Sequence, residues 1–315
     1  MNDSQLSTPV LLLIFNRLDT TKQVLAAIAN AQPTRLYVAA DGALQDRIGE
    51  AEKVQAVRDY VMSHINWNCE IKTLFRDKNL GCRVAVSSAI DWFFEHELEG
   101  IILEDDCVPD ASFFPFVEEL LTRYRDDERI MVIAGNHFHG EAHKPPYSYF
   151  FSRYNHCWGW ASWRRAWQYY DHEMNQWLKL RDTDWLLTIG DGNRDFQRYW
   201  TRIFDRAYAQ KVDSWAYRWT FSCWAQSGLT ILPACNLVKN IGFDEDATHT
   251  KGNSGRLSKL PLESLTFPLS HPPSIIRDYV ADRWSDLNHF KLDRINQIKK
   301  KLLKVYWKME YIIKK

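Results

Sequence analysis

The sequence has no excess charge of either sign. Its 40 Lys and Arg balance 40 Asp and Glu over 315 residues, for a formal net charge of +0. No bulk basic field points to nucleic acid. Cysteine is sparse and unpatterned: Cys69, Cys82, Cys107, Cys157, Cys223 and Cys235 contain no CxxC pair and no zinc-ligand spacing. They read as small buried hydrophobes in a reducing compartment. Long apolar runs are missing too. Residues 10–15 are far too few to span a bilayer, and no basic stretch with a secretory apolar core stands at the N-terminus. Internal repeats and low-complexity linkers are absent. What is left has the composition of a soluble globular protein, 45% hydrophobic and 25% charged, for which a cytoplasmic catalytic body is expected. The length suits one large domain or two small ones.

Aromatics, by contrast, are plentiful, with 14 Trp and 14 Tyr. Their faces suit sugars and bases, although most Trp in any protein are simply packed. The first half alternates in a regular way. Residues 9–15 are a continuous apolar run, the pattern of a buried parallel strand. A helical pattern follows over 20–31, then a strand at 36–40 stopped by Asp41-Gly42. A helix over 50–64, a strand at 69–75 and a helix over 83–97 complete a β-α-β-α-β-α series leading to a further strand. Such alternation implies a parallel sheet with right-handed crossovers. Beyond a strand at 130–135 the alternation dissolves into an aromatic, His- and Gly-rich segment, 137–175, which reads as a binding region. Residues 182–210 and 216–227 carry helical spacing, 229–233 read as a short strand, and 236–250 as a polar ligand loop.

The stretch that organises the chain is Gly100-Ile101-Ile102-Leu103-Glu104-Asp105-Asp106. An apolar β-branched run ends in three consecutive carboxylates. In open α/β sheets ligands bind at the carboxyl ends of strands. Three adjacent acids repel one another, and a hard divalent cation with its preference for oxygen compensates them. The competing reading is a solvated acidic turn.

Residues 290–315 differ in composition. Leu292, Ile295, Ile298, Leu302, Val305, Met309 and Ile312 recur every three or four residues among many Lys. This is a basic amphipathic helix of the kind that lies on an anionic membrane. A terminal helix packed on its own domain or on a second protomer gives the same stripe, so the oligomeric state is open.

Set side by side, Phe15-Asn16-Arg17, Ala40-Asp41-Gly42, Leu103-Glu104-Asp105-Asp106, Asp110-xx-Phe113-Phe114 and Gly159-Trp160 resemble the GT-A nucleotide-sugar transferases, in particular the N-acetylglucosaminyltransferase I family. The runs Trp158-Gly159-Trp160-Ala161-Ser162-Trp163 and Gly242-Phe243-xx-Asp246-Ala247-Thr248-His249 are similar to those of bacterial glycosyltransferase-like proteins. The resemblance covers residues 9–250. It implies an α/β GT-A fold, Rossmann-like with a mostly parallel sheet flanked by helices. A GT-A domain would occupy 1–270, with a nucleotide-sugar half at 1–135 and an acceptor half at 136–270, followed by a C-terminal extension at 271–315.

The activity implied is metal-dependent transfer of a sugar from a nucleoside-diphosphate sugar, UDP favoured, to a glycan or lipid-linked acceptor. The setting would be bacterial surface polysaccharide synthesis, on the inner face of the plasma membrane. The resemblance makes Asp106 the Mn2+ or Mg2+ ligand, with Asp105 and Glu104 near ribose, donor sugar or ligand-shell water. Asp41 would accept from a nucleobase N–H, and Arg17 would line base and phosphates. The alternatives are a turn residue for Asp41 and a surface ion pair with Asp19 for Arg17. Trp160 is expected at a sugar or acceptor wall, with core packing as the competing reading. His249 is expected near diphosphate or metal, or as a structural residue. The family's Asp-Asp-Trp piece, whose second Asp is the base of an inverting transfer, is here Asp213-Ser214-Trp215. A neutral hydroxyl does not replace a base, so Asp213 takes the role, or Asp191, Glu245 or Asp246 does. A sugar-phosphate nucleotidyltransferase would want a Gly-rich loop after the first strand, which Asn16-Arg17-Leu18-Asp19 is not. A non-catalytic membrane-binding protein would leave the strand-end polar residues unexplained.

Overall fold

The computed structural model describes residues 5–242, 257 and 259–292. The series β1 (Val10–Ile14), α1 (Leu18–Ala31), β2 (Arg35–Ala40), α2 (Glu50–His64), β3 (Glu70–Phe75), α3 (Gly81–His96) and β4 (Glu99–Glu104) runs as the alternation predicts. Each strand pairs in parallel with its neighbour, in the order β3-β2-β1-β4. β1 lies between two partners and is buried throughout. That is why it reads as an unbroken apolar run rather than an alternating one.

The sheet then continues with strands from the second half. After β5 (Cys107–Pro109) and α4 (Phe113–Arg123) come β6 (Ile130–Ala134), β7 (Tyr149–Ser152) and β8 (Trp160–Trp163). Farther on come β9 (Leu229–Pro233) and β10 (Val238–Asn240). The full order is β3-β2-β1-β4-β8-β6-β9-β7, with β8 antiparallel to both neighbours and β7 antiparallel to β9. The 137–175 segment, expected to be irregular, thus supplies two buried strands. Its bulky aromatic residues favour a pleated surface. Strands from both sides of position 135 share this one sheet.

Alternate residues of β1 face opposite cores. Val10, Leu12 and Ile14 pack with Val24, Leu25 and Ile28 of α1 and with Phe113, Val117 and Leu120 of α4. Leu11 and Leu13 pack with Ile90 and Phe93 of α3 and with residues of α8 (Arg194–Tyr208) and α9 (Ala216–Ala225). The result is an α/β, Rossmann-like fold, a mostly parallel sheet covered by helices on both faces. The helical spacing over 182–210 is broken into α7 (Trp185–Ile189) and α8 by Gly190-Asp191-Gly192, where Asp191 has φ 55° and Gly192 φ 77°. (α5 and α6 are short turns, Arg164–Trp167 and Trp177–Leu180.) The short helix α10 (Tyr279–Trp284) docks on β7 through Asp282, which accepts from Ser152 Oγ at 2.5 Å. Leu292 is buried at the start of the basic tail. The rest of that tail lies outside the described residues, as do Glu245, Asp246 and His249.

Candidate active site at the carboxyl rim of the sheet

β1, β2 and β4 are parallel, so their carboxyl ends deliver Asn16 and Arg17, Asp41, and Glu104 to one rim. Asp105 and Asp106 turn away from the end of β4 into β5, and both are buried, 3% and 8% exposed. Arg17 reaches across from the end of β1. Its guanidinium donates to Asp105 Oδ1 and, through Nη1, sits 2.9 Å from Asp106 Oδ2. Burial opposes the charge on Arg17, but the two carboxylates outweigh it and hold the group firmly protonated. The second oxygen of Asp105 is buried with no hydrogen-bond partner. Three carboxylates facing one guanidinium leave uncompensated negative charge. Burial first, and then repulsion from Asp106 and Asp105, push Glu104 up to about 8. Burial raises Asp105 to about 6 against the pull of Arg17.

Asp106 is held from the other side by a segment far away in sequence. β5 pairs antiparallel with β10, setting Cys107 opposite Asn240. Asn240 Nδ2 donates to Asp106 Oδ1 at 3.3 Å, and the Cys107 thiol donates to the same oxygen at 3.3 Å. Ile241 N–H donates to Asp106 O at 2.8 Å, and Gly242 N–H to Asn240 Oδ1 at 2.8 Å. Gly242 lies flat against the pair: a Cβ there would stand 2.1 Å from Asp106 Oδ2 and 2.7 Å from Arg17 Nη1. Asn240 was not singled out from sequence, and Gly242 entered only as the first residue of the Gly242-Phe243-xx-Asp246-Ala247-Thr248-His249 run, with no role of its own. The available signal was their place in the polar loop that ends in Asp246-Ala247-Thr248-His249.

Asp41 and Asp213 meet at the first turn of α3. Asp41 accepts from the N–H groups of Gly42, Leu80 and Gly81 at 3.0–3.1 Å. Burial raises its pKa, and those amides work in the opposite direction. Gly42 permits the approach, since a Cβ there would stand 2.4 Å from the backbone of Lys78. Asp213 accepts from Cys82 N–H at 2.9 Å and Arg83 N–H at 3.0 Å, one to each oxygen. A helix begins with four unsatisfied N–H groups, and these carboxylates satisfy several of them. Asp213, expected as a base, therefore stands as a cap with both oxygens engaged. Asp191 is drawn elsewhere, into ion pairs with Arg153 at 2.7 Å and Arg277.

Trp160 departs from the expected sugar wall. It is 1% exposed, stacked on Trp215 at 5.5 Å and packed against Trp167 and Trp219. As an inward position of β8 it has no face open to a ligand. β8 runs between β4 and β6 with both faces covered, so neither Trp160 nor Trp163 is open, which the aromatic run alone could not show. Among the described residues no group of three or more His, Cys, Asp or Glu is placed to hold a metal ion unaided. A cavity of about 200 Å³ is lined by Arg153, Ile189, Trp224 and Arg277, and by none of the rim residues.

Fold and rim together describe an α/β protein with buried acids at the carboxyl end of its central strand. No protein-family model matches the chain, and no curated protein matches it. Among solved structures it is similar to the mannosyltransferase PcManGT from Pyrobaculum calidifontis, in complex with GDP-Man and Mn2+. The TM-score there is 0.34 and the identity 13%, over 51% of this chain and 45% of that one. It is also similar to HddC from Yersinia pseudotuberculosis, with TM-score 0.33 and 10% identity over 55% and 84% of the two chains. The matched part thus spans about 45% of the length of the mannosyltransferase. Likeness this partial carries no argument about activity, which has to come from the rim itself.

Proposed function

We propose that this chain is a metal-dependent glycosyltransferase that takes a nucleoside-diphosphate sugar as donor. The observation that carries the reading is the buried Asp105–Asp106 pair, with Asp105 Oδ2 left without a hydrogen bond at the mouth of β4. An orphaned buried carboxylate oxygen is costly, and a cation relieves it. Hard divalent ions are commonly held by one or two carboxylates together with substrate phosphates. A site with fewer than three protein ligands fits that use. Asp106 and Asp105 would hold the ion, and Mn2+ or Mg2+ bound there supplies Lewis-acid compensation for charge developing on a departing diphosphate.

The chain's own residues do the rest of the positioning. Arg17 offers a planar cation to phosphate. Asn240, Cys107 and Gly242 fix the rotamer of Asp106. Asp41 and Asp213 lock the start of α3 against the end of β2, so the rim keeps its shape. We assign proton transfer to neither of them, because their oxygens are engaged. UDP as the base carrier, an inverting outcome, a glycan or lipid-linked acceptor and a role in bacterial surface polysaccharide rest on the sequence resemblance. Calorimetry with UDP and GDP, with and without Mn2+, tests the reading. Metal-dependent nucleotide binding that disappears in Asp106→Asn is the expected result. A folded protein that binds neither nucleotide in Mn2+ would overturn it.

A further inference from the structure

We infer that the Arg17 guanidinium holds the cation position of the acid pair when no donor is bound, so that metal binding at Asp106 is an exchange of one cation for another. The inference rests on the functional reading above and deepens it. Asp106 has two carboxylate oxygens. Oδ1 is taken by Asn240 and the Cys107 thiol, each at 3.3 Å. Oδ2 is taken by Arg17 Nη1 at 2.9 Å, and Gly242 closes the side beside it. The same guanidinium covers Asp105 Oδ1. Each oxygen of Asp106 therefore already has a donor while Arg17 stays where it is, and Arg17 supplies the one that carries charge.

The two sides of that barrier differ in freedom. Gly242 is backbone, fixed by its N–H to Asn240. The Arg17 side chain is 31% exposed, against 5% and 12% for its two partners. It is the component with room to leave, through the side that is exposed among the described residues. A guanidinium suits both jobs, because its planar fork matches carboxylate and phosphate alike. Arg17 would thus compete with bare metal and assist metal-bound donor. Those two effects have opposite signs in a single substitution.

The test is titration of Mn2+ alone, followed by calorimetry or by the electron paramagnetic resonance of free Mn2+, on wild type, Arg17→Gln and Arg17→Lys. Arg17→Gln should bind bare Mn2+ at least about tenfold more tightly than wild type, and the gain should vanish when Asp106→Asn is added. Arg17→Lys, which keeps the charge but loses the planar fork that spans Asp105 and Asp106, should fall between. In Mn2+ the affinity of Arg17→Gln for UDP or GDP should drop at least about tenfold. Melting in EDTA and in Mn2+ controls for folding: the Gln variant should be the more strongly stabilised by metal. Bare Mn2+ affinity that is unchanged or weaker in both variants overturns the exchange, and so does the absence of bare Mn2+ binding in all three proteins. The functional reading fails on a different measurement, Mn2+-dependent nucleotide binding by wild type.

Discussion

Gly242→Ala is the sharpest test of how the acid pair is held. The new methyl would start 2.1 Å from Asp106 Oδ2 and 2.8 Å from its Cγ. Neither atom belongs to the far end of a long flexible side chain, so the carboxylate has to rotate or retreat by roughly 1 Å, enough to cost up to about 100-fold where a group must meet a ligand. It cannot rotate freely, because Oδ1 is tied to Asn240 and Cys107. Residues that orient a metal ligand typically contribute 10- to 100-fold in affinity, about 1.4 to 2.8 kcal/mol. Overpacking of this kind also costs about 1 to 3 kcal/mol of stability. Two measurements follow: Mn2+-dependent UDP or GDP binding by calorimetry, and urea denaturation. Both should weaken, binding by at least tenfold. A variant with wild-type stability and wild-type affinity would show that Asp106 is not confined by Gly242, and the account of its rotamer would fall.

Other expectations follow from packing elsewhere. Arg153 is buried between Asp191 and Asp286, each at 2.7 Å, with Asp282 at 4.0 Å. Arg153→Ala removes the cation these acids share, although Arg277 still faces Asp191 and Asp282 and Tyr154 still donates to Asp286; it should cost about 3 kcal/mol in urea melts, and a loss under 1 kcal/mol would refute the network's role. His156 is buried, and burial first, then neighbouring histidines, hold its pKa well below the ordinary 6.5. The unfolded chain takes up that proton as pH falls below about 6.5 while the folded chain resists. Stability is thus fully present above that pH and declines below it, by up to about 1.4 kcal/mol per unit. Melts at pH 7.5 and 5.5 should show the decline, and His156→Leu should show less of it. His137 is depressed by burial in the same direction, so some dependence remains in that variant. Removing residues 293–315, which spares buried Leu292, should release the protein from anionic vesicles in a sedimentation assay while nucleotide binding persists. A truncated chain that still sediments would remove the membrane role of the tail.

The sheet was legible in its first half, where apolar runs alternate with helical spacing, and not in β7 and β8, which are buried throughout but lie in the aromatic 137–175 segment. The apolar run of β1 and the short run of β4 ending in acids announce themselves because no solvent face interrupts them. Arg17, Asp41 and the three acids were likewise legible, since parallel strands must deliver their ends to one rim. What the sequence does not carry is pairing across distance. β5 and β10 are three-residue strands whose sequences alone give no sign of a partner, and their pairing is what brings Asn240 and Gly242 to Asp106. The capping of α3 by Asp213 spans about 130 residues. A motif reading gives the same Asp a proton to move, because a carboxylate beside a Trp looks alike in both roles. Trp160 was misplaced for a related reason. An aromatic run shows that rings are present, but their burial follows from β8 lying inside the sheet between β4 and β6, with helices on both faces.

The occupied start of α3 bears on where an anion can bind. Helix N-termini attract phosphate through their free N–H groups and the positive end of the dipole. Here Asp41 and Asp213 already accept from the amides of Leu80, Gly81, Cys82 and Arg83. The nearest backbone cradle on the rim is therefore spent on fixing the fold, and two more carboxylates stand beside Glu104, Asp105 and Asp106. A diphosphate at this rim would meet acids on both sides, with Arg17 placed between Asp105 and Asp106 and with Arg58 and Arg76 beside Asp41. On the proposed reading, a divalent ion brought with the diphosphate would offset those acids, and donor binding would then depend on metal. If that is right, Asp213→Asn, which keeps an amide-accepting oxygen but removes a charge, should relax the Mn2+ requirement for UDP or GDP binding. An unaltered Mn2+ dependence in a variant that melts like wild type would refute it.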